Sequence, residues 1–338
     1  MSGSRTTHRL EAIVAGFRGR RVAVLADLVC DEFVHGDITR VSREAPVLIL
    51  EQTRTEIVLG GGANAIANLR ALGAHPLPVG VVGRDDAGSR LLALLRRLGV
   101  PTSGVLTLAG YGTPTKSRLL AGGIHTRRQQ IVRVDRGARH GDLPSVVGTR
   151  LAAKLRQTLR RADGLLVADY GYGAAIPATV GAVRSAWRGK VVTVDSRQRI
   201  AAYRGVTACT PNQEEVEEAL GVSGFASPAR LAVAGRELLK RTGNATVLVT
   251  RGAKGMVLFE KDATPLAIPP FGSGEVADVT GAGDTVVAAY TLGLLAGGAP
   301  AEAATLANMA AGLVVMKYGT ATASPQELLT AIRSGNFS

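Results

Sequence analysis

Short apolar runs alternate along this chain with longer stretches in which apolar residues recur at helical spacing. The runs at residues 22–28, 164–168, 191–194 and 245–250 are rich in Val, Leu and Ala and have the length of buried strands. Helices are predicted at residues 63–72, 87–98, 147–161, 214–220 and 228–241. Continuous apolar strands that alternate with helices are typical of a parallel sheet covered on both faces. The pattern therefore predicts an α/β fold.

Two regions break this alternation. Residues 32–59 contain VLILEQTRTEIVL, and residues 102–135 contain TPTKSRLLA and QQIVRVD. Both are rich in β-branched residues, and neither predicts a helix. We expect them to form extra antiparallel strands in a small sheet beside the main body. No repeat or interdomain linker is visible, so residues 1–338 are expected to form one large domain.

Polar residues follow the predicted strands at their carboxyl ends. Asp31 follows the first strand, Asp169 the second and Asp195 the third, and Thr250-Arg251-Gly252 follows the fourth. Because ligands of open α/β sheets bind at the carboxyl ends of the strands, these positions are the first candidates for a functional site.

Composition narrows the class of protein. Hydrophobic residues make up 46% of the chain and charged residues 20%, which is typical of a globular protein rather than a disordered one. No run of 18 apolar residues predicts a transmembrane helix, and the N-terminus lacks the features of a secretory signal. The two cysteines, Cys30 and Cys209, make no disulfide framework and are expected to be buried as small apolar residues. We expect a cytoplasmic protein with no membrane partner.

The charge raises the question of a nucleic-acid partner. The chain has 40 Lys and Arg against 27 Asp and Glu, a formal net charge of +13. A basic protein that binds nucleic acid, or a regulatory protein without catalytic activity, is therefore one hypothesis. Aromatic residues make up only 4% of the chain, which is few for a protein that stacks bases.

A glycine motif near the C-terminus predicts an anion site. Asp278-Val279-Thr280-Gly281-Ala282-Gly283-Asp284-Thr285 precedes the apolar run VVAAYTLGLLA. The free N–H groups and the dipole at the start of such a helix favour an anion, and small residues let a phosphate approach the main chain. Asp284 beside that site suits a general base in phosphoryl transfer. The alternative is a capped glycine turn in which Asp284 only stabilises the helix dipole.

A second motif, GGGAN at residues 60–64, opens the helix predicted to end before Gly73. Asn64 both donates and accepts hydrogen bonds, as sugar hydroxyls require, although a flexible turn before a helix explains the glycines equally well. No Walker A loop occurs, and GAGDTV lacks the third glycine of a dinucleotide fingerprint, so a hydride-transfer enzyme is disfavoured.

Together the two motifs resemble those of the ribokinase-like (PfkB) carbohydrate kinases, over about residues 20–329. DVTGAGDTVVAAYT at residues 278–291 meets the C-terminal signature of that family, and GGGAN with Gly73 and Gly83 meets the N-terminal one. Ile66 departs from it, because the family usually has a small residue there. The resemblance implies a three-layer sandwich with a mostly parallel central sheet flanked by helices. It also implies a small β-sheet lid from strands within 32–59 and 102–135, through which two copies often dimerise.

The resemblance also implies an ATP-dependent sugar kinase that uses Mg²⁺, and in some members K⁺. Asp284 matches the catalytic base, and Gly281, Ala282 and Gly283 match the anion hole for the γ-phosphate. The sugar site would contain Asp31, Gly61, Gly62, Asn64 and Asp169, and the nucleotide site would contain Asn212, Glu215, Thr250, Gly252 and Asn308. Glu215 would organise Mg²⁺ through water, and Asp278 and Thr280 match the monovalent-cation loop.

A narrower resemblance concerns the D-glycero-β-D-manno-heptose 7-phosphate kinases. It is carried by DLVCDEFVHGDITRVSREAPVLILE, with Asp27, Asp31 and Phe33, and by TPTKSRLLA, QQIVRVD and ADYGYG. That family uses ATP to phosphorylate the anomeric hydroxyl of its sugar phosphate. Two departures stand out: Ala26 replaces a usual Gly, and Asp195-Ser196-Arg197-Gln198 replaces a DPKG segment that contains Lys. The length leaves no room for the nucleotidyltransferase domain fused to some relatives, so none is expected.

The charge of the predicted lid supports an anionic sugar. Between Thr115 and His140 the only acidic residue is Asp135, whereas seven residues are basic: Lys116, Arg118, Arg127, Arg128, Arg133, Arg136 and Arg139. A kinase for a phosphosugar needs cations for the remote phosphate. A solvated basic surface is the alternative for most of the seven, and Lys116, Arg118 and Arg133 are the best candidates. A kinase for fructose, ribose, a ketose phosphate or a nucleoside stays open.

Overall fold

The computed structural model describes residues 2–122, 129–138, 141, 143–222, 224, 227–272 and 277–335. Its strands are β1 (Arg21–Val41), β2 (Leu48–Gly61), β3 (His75–Gly83), β4 (Val105–Leu108), β5 (Thr115–Gly122), β6 (Gln129–Arg136), β7 (Gly164–Asp169), β8 (Val191–Ser196), β9 (Ala208–Cys209), β10 (Thr246–Thr250), β11 (Met256–Glu260) and β12 (Leu266–Ile268). Its helices are α1 (Ser2–Ala15), α2 (Gly62–Ala71), α3 (Asp86–Arg97), α4 (Ser145–Leu159), α5 (Pro177–Gly181), α6 (Arg184–Trp187), α7 (Gln213–Leu220), α8 (Pro228–Thr242), α9 (Ala282–Leu295), α10 (Pro300–Val315) and α11 (Pro325–Arg333).

The main sheet has the strand order β12-β11-β10-β9-β8-β7-β1-β3-β4. Its strands from β10 to β4 pair in parallel, whereas β11 is antiparallel to both of its neighbours. Side chains on one face pack against α1, α2, α3, α9, α10 and α11, and those on the other face pack against α4 to α8. The apolar strands are therefore buried on both sides, and the fold is the predicted three-layer sandwich.

A second, smaller sheet shares β1 with the main sheet. Residues 21–27 of β1 pair with β3 in the main sheet, whereas residues 28–41 pair antiparallel with β2. The strand β5 pairs in parallel with residues 30–37 of β1, and β6 pairs antiparallel with β5. We call residues 28–41 of β1 together with β2, β5 and β6 the side sheet. One continuous strand thus belongs to both sheets.

The predicted α/β class, the four strands and the five helices are confirmed, with bounds that differ by a few residues. The first strand was expected to end at residue 28, and this is wrong: it continues to Val41, so Asp31 lies inside β1. Within 102–135, β4 pairs with β3 in the main sheet, and β5 is parallel rather than antiparallel to β1. None of the helices in the described ranges is long and apolar enough to cross a bilayer.

Candidate active site

A cleft of about 590 Å³ opens between the side sheet and the carboxyl ends of the main-sheet strands. The first turns of α2 and α9 reach it from one side, and the segments after β7, β8 and β9 reach it from the other. It brings together thirteen residues predicted from the sequence: Asp31, Gly61, Asn64, Lys116, Arg118, Asp195, Asn212, Glu215, Thr250, Thr280, Gly281, Gly283 and Asp284.

Asp284 lies in the first turn of α9 and is only 4% exposed. Its Oδ2 accepts a hydrogen bond of 2.9 Å from Nδ2 of Asn64, and its Oδ1 accepts one of 2.6 Å from the hydroxyl of Tyr170. Burial raises the pKa of Asp284 to about 7, and the charge of Asp195 acts in the same direction. A carboxylate that titrates near neutral pH suits proton removal from a hydroxyl.

The start of α9 is shaped to receive an anion. Gly281 caps it with φ of 80°, a conformation that favours glycine, and a Cβ there would lie 2.3 Å from Nδ2 of Asn64. The N–H groups of Gly283 and Asp284 have no acceptor among the residues that the structure describes. These groups and the helix dipole together favour a phosphate at this end of α9.

Asn64 connects α2 to α9 through a buried polar chain. Its Oδ1 accepts a hydrogen bond of 3.3 Å from Asn68, whose own Oδ1 accepts one of 2.9 Å from the hydroxyl of Thr285. Because Nδ2 of Asn64 is oriented toward Asp284, the predicted sugar-binding residue also holds the predicted base.

The cleft face of the side sheet carries charged residues. In register, Asp31 stands opposite Lys116, and Phe33 stands opposite Arg118. Nη1 of Arg118 lies 2.7 Å from Oδ1 of Asp31, and its guanidinium lies 5.3 Å from the ring centre of Phe33. Burial, followed by repulsion from Arg197, lowers the pKa of Lys116. Two cations therefore line the cleft beside one carboxylate.

Two further carboxylates, those of Asp195 and Glu215, line the cleft. Asp195 accepts a hydrogen bond of 3.1 Å from the hydroxyl of Thr210, and Glu215 completes a capping box with Asn212 at the start of α7. Burial raises the pKa of Asp195 to about 6, and the charge of Asp169 acts in the same direction. Burial and the charge of Asp195 raise the pKa of Glu215 to about 8. A cation between them would relieve this repulsion, so the donor set fits Mg²⁺ that is held mainly by water and phosphate. No cluster of three or more metal-ligating side chains occurs in the described part of the chain.

A second cavity of about 590 Å³ adjoins the cleft and is mainly apolar. It shares Thr250, Val279 and Gly283 with the cleft, so the start of α9 lies where the two spaces meet. Gly252, Ala282 and Asn308 also line it, and Nδ2 of Asn308 donates a 2.7 Å hydrogen bond to the carbonyl of Pro269. An apolar cavity next to an anion site fits a nucleotide base followed by its phosphates.

Asp278 organises the loop before α9. Its Oδ1 accepts the N–H of Thr280 at 2.9 Å, and its Oδ2 accepts the N–H of Gly319 at 3.2 Å. The carboxylate thus joins the predicted monovalent-cation loop of Asp278 and Thr280 to the segment at Gly319. Thr280 lines the cleft, and Asp278 does not.

Three residues predicted for the sugar site do not line the cleft: Asp169, Gly62 and Arg133. Asp169 is 2% exposed, and its carboxylate is bound by Arg199, Ser196 and Tyr203, so it stabilises the end of β7 instead. Gly62 is buried against Ala26. The third, Arg133, is one of the basic residues of the side sheet.

Arg133 stands opposite Arg118 in register, but it is about half exposed and pairs with Asp135 at 2.9 Å. Arg136 is on the opposite face of the side sheet, where it pairs with Glu32 at 2.7 Å. Arg127, Arg128 and Arg139 lie outside the described residues. Of the four of these basic residues that the structure describes, Lys116 and Arg118 line the cleft.

Sequence reasoning assigned no role to two residues in the centre of the cleft. Tyr170 contacts Asp284, and the guanidinium of Arg197 lies 4.6 Å from the centre of the Tyr170 ring. Arg197 was noted only as a departure from a family motif, and Tyr170 only as part of ADYGYG. Their positions after β7 and β8 were the available signal, since ligands of such sheets bind at the strand ends.

Comparison with known proteins agrees with this geometry. The family described as pfkB family carbohydrate kinase matches residues 28–141 and 188–327. Among curated relatives, the Bifunctional protein HldE of Pelobacter propionicus is 37% identical over 326 residues, which cover 96% of this chain and 65% of the relative. The protein of the same name from Mesorhizobium japonicum is 38% identical over 327 residues, with coverages of 96% and 64%. The chain thus spans just under two thirds of the length of these relatives.

Solved structures show the same fold. Phosphofructokinase-2 from Escherichia coli in complex with potassium superposes with a TM-score of 0.73 at 18% identity, over 94% of this chain and 99% of that one. Arabidopsis thaliana ribokinase complexed with ribose and ATP gives a TM-score of 0.72 at 21% identity, with coverages of 95% and 100%. The family match, the relatives and the fold agree, and the chain therefore belongs to the pfkB family of carbohydrate kinases as an ATP-dependent sugar kinase.

Proposed function

We propose that this kinase transfers the γ-phosphate of ATP to the anomeric hydroxyl of D-glycero-D-manno-heptose 7-phosphate and forms the 1,7-bisphosphate. The observation that carries the proposal is the pair of cations, Lys116 and Arg118, on the cleft face of the side sheet. A neutral sugar has no use for them, whereas the remote phosphate of a sugar phosphate needs such partners. The similarity to proteins named HldE over 96% of the chain supports the same substrate class.

In this proposal, Asp284 removes the proton of the anomeric hydroxyl. The N–H groups at the start of α9, in the segment Gly281 to Gly283, stabilise the charge of the transferring phosphoryl group. Asn64 orients Asp284, and Asp31 and Gly61 bind hydroxyls of the sugar. The remote phosphate then reaches the side sheet, which acts as a lid over the substrate.

ATP would occupy the apolar cavity, with its base near Asn308 and Gly252 and its phosphates passing Thr250 toward α9. Mg²⁺ neutralises phosphate charge in such reactions. Glu215 would hold it through water, beside Asn212, and Asp195 is a further candidate. We propose that the loop of Asp278 and Thr280 binds K⁺, as the potassium complex of the E. coli neighbour suggests.

The substrate is tested with a panel of sugars in an ADP-release assay. Heptose 7-phosphate is expected to give the highest kcat/KM, well above ribose, fructose, fructose 6-phosphate and nucleosides. Turnover of ribose or fructose with none of heptose 7-phosphate would overturn the proposal in favour of another sugar kinase. Tight, salt-sensitive DNA binding without kinase activity in a two-salt titration would instead favour the nucleic-acid hypothesis.

We also propose that two copies pair through the outer face of the side sheet. Val132 and Val134 of β6 are 44% and 46% exposed there, on the face opposite the cleft cations. Exposed apolar residues on a sheet that is open to solvent favour association. Light scattering after gel filtration is expected to give a dimer, and Val134→Lys a monomer; a monomeric native protein would contradict the assignment.

The two buried thiols of Cys30 and Cys209, which form no disulfide, fit a cytoplasmic setting.

A further inference from the structure

Tyr170 occupies a position that the family motifs leave without a role. It directly follows β7, its side chain is 8% exposed, and it lines the cleft. Its hydroxyl donates a hydrogen bond of 2.6 Å to Oδ1 of Asp284. Burial, together with the charge of Asp284, raises the pKa of Tyr170 well above its usual range, so the hydroxyl keeps its proton and acts as a donor.

The main chain around Tyr170 is held by a buried carboxylate. Asp27, which is 1% exposed, accepts the N–H groups of Tyr170 and Tyr172 at 2.9 Å each, and those of Ala174 and Ala175 at 2.8 and 3.2 Å. These four hydrogen bonds restrict the segment, because any movement of its backbone would leave the buried Asp27 carboxylate without donors. Asp27 thus fixes the position of the Tyr170 backbone, from which the side chain extends into the cleft.

Two cations lie over the Tyr170 ring. The guanidinium of Arg197 is 4.6 Å from the ring centre, and Nζ of Lys116 is 5.8 Å from it. Positive charge over an aromatic ring is attractive, and it restricts rotation of the ring. The hydroxyl is therefore aimed at Asp284 by the main chain and by the ring contacts together.

Several groups from other elements set the charge of Asp284. Asn64 of α2 donates to its Oδ2, Arg197 after β8 favours the charged form, and Asp195 of β8 opposes it. Lys116 of β5 and Glu215 of α7 line the same cleft. Since burial strongly disfavours the carboxylate, the loss of either hydrogen-bond donor would favour the protonated acid.

We propose that Tyr170 is a positioning residue that keeps Asp284 oriented and charged before the substrates bind. The inference rests on the proposed role of Asp284 as the base. The Tyr170 hydroxyl donates to Oδ1 of Asp284, and Asn64 donates to Oδ2. Each carboxylate oxygen keeps one further lone pair that can accept the proton of the sugar hydroxyl. Tyr170 itself transfers no proton.

The test is Tyr170→Phe, which removes only the hydroxyl. The pH profile of kcat/KM for the best sugar substrate should rise from acid to neutral pH with a midpoint near the pKa of Asp284, about 7. In the variant the midpoint is expected to move up by about one pH unit, so activity falls about tenfold at pH 6 and recovers at pH 9. Tyr203→Phe is the matched control, because it removes a 2.8 Å tyrosine bond to a carboxylate that does not line the cleft, Asp169.

A second measurement does not depend on the substrate. Carbon-13 NMR of protein labelled at the aspartate carboxyl carbons, with the Asp284 signal identified by its loss in Asp284→Asn, reports the titration directly. An upward shift in Tyr170→Phe supports the proposal even if heptose phosphate is not the substrate. Equal loss of activity at every pH, with an unchanged Asp284 titration, would overturn it. Asp27→Asn, which weakens the hold on the segment, is expected to shift the titration in the same direction by a smaller amount.

Discussion

Arg118 and Asp31 form a partly buried ion pair between β5 and β1, with 2.7 Å between Nη1 and Oδ1. Replacing Arg118 by Gln would leave Asp31 as an uncompensated carboxylate in the site proposed for the sugar phosphate. We expect Arg118→Gln to raise the KM for the sugar phosphate about 10- to 100-fold and to change the KM for ATP little. Steady-state kinetics with each substrate varied in turn measures the effect.

The control for Arg118 is Arg136→Gln on the same sheet. Arg136 also pairs with a carboxylate at 2.7 Å, that of Glu32, but it does not line the cleft. The KM for the sugar phosphate is expected to stay within about twofold of the native value, as is usual for surface ion pairs. Equal effects of the two substitutions would show that overall charge, rather than the cleft position, governs binding.

Asp284→Asn tests the base. The amide keeps the shape of the side chain but does not take a proton, so kcat is expected to fall by at least about a thousandfold. ATP binding, followed by calorimetry, should persist because the apolar cavity that adjoins the start of α9 is unchanged. Retained turnover would refute the assignment of Asp284.

Gly281→Ala separates a steric clash from backbone strain. Gly281 and Gly297 have similar φ values, 80° and 82°, but only at Gly281 would a Cβ meet another atom, Nδ2 of Asn64 at 2.3 Å. Gly297→Ala is expected to cost about 1 kcal/mol of stability, from strain alone, and to leave kcat near the native value. Gly281→Ala should cost more and should lower kcat at least tenfold, because Asn64 has to leave Asp284. Thermal melts and kinetics of both variants decide the point.

The buried acids of the cleft predict how stability changes with pH. Burial raises the pKa of Asp284 to about 7, that of Asp195 to about 6 and that of Glu215 to about 8, and the charge of Asp195 adds to the effect on Asp284 and Glu215. These groups bind protons more tightly in the folded state, so the free energy of unfolding should decrease as the pH rises from about 4 to 8. Thermal melts without nucleotide or Mg²⁺ are expected to show a falling Tm over this range.

Glu215→Gln should make the fall of Tm with rising pH less steep, since it removes one of the three acids with a raised pKa. The amide keeps an oxygen that can accept the N–H of Asn212 in the capping box. Glu237→Gln is the control, because Arg241 lowers the pKa of that surface carboxylate, which lies outside the cleft. A Tm that rises toward pH 8 in the native protein, or an identical slope in Glu215→Gln, would contradict the raised pKa values.

Local motifs predicted much of this site, whereas long-range packing determined the rest. The GAGD and GGGAN segments are helix starts whose geometry depends on neighbouring residues, so Asp284, Gly281 and Asn64 were found from sequence. The role of Tyr170 depends on Asp27, which lies 143 residues earlier, and no local pattern reveals that bond. Asp169 stands at the end of a predicted strand and was therefore expected in the sugar site. In the folded chain Arg199 binds its carboxylate, and no local pattern predicts that pairing.

The length of β1 also escaped prediction for a physical reason. Its second half, DEFVHGDITRV, mixes charged and apolar residues because the side sheet has a polar cleft on one face. The apolar pattern that predicted a strand at residues 22–28 therefore does not continue through it. Strand pairing with β2 and β5, rather than apolar burial, extends it.

That unbroken strand has a consequence for engineering. The side sheet is not a detachable module, because exchanging it for that of another kinase would cut hydrogen-bonded backbone in β1 and at the start of β5, and would disturb β2 where it leads directly into α2. New substrate preferences are therefore best sought by changing side chains on its cleft face, at Lys116, Arg118 and Phe33, while the backbone is left intact. The predicted sugar-binding Asp31 and the Asp27 that holds the Tyr170 segment thus lie on one continuous β-strand.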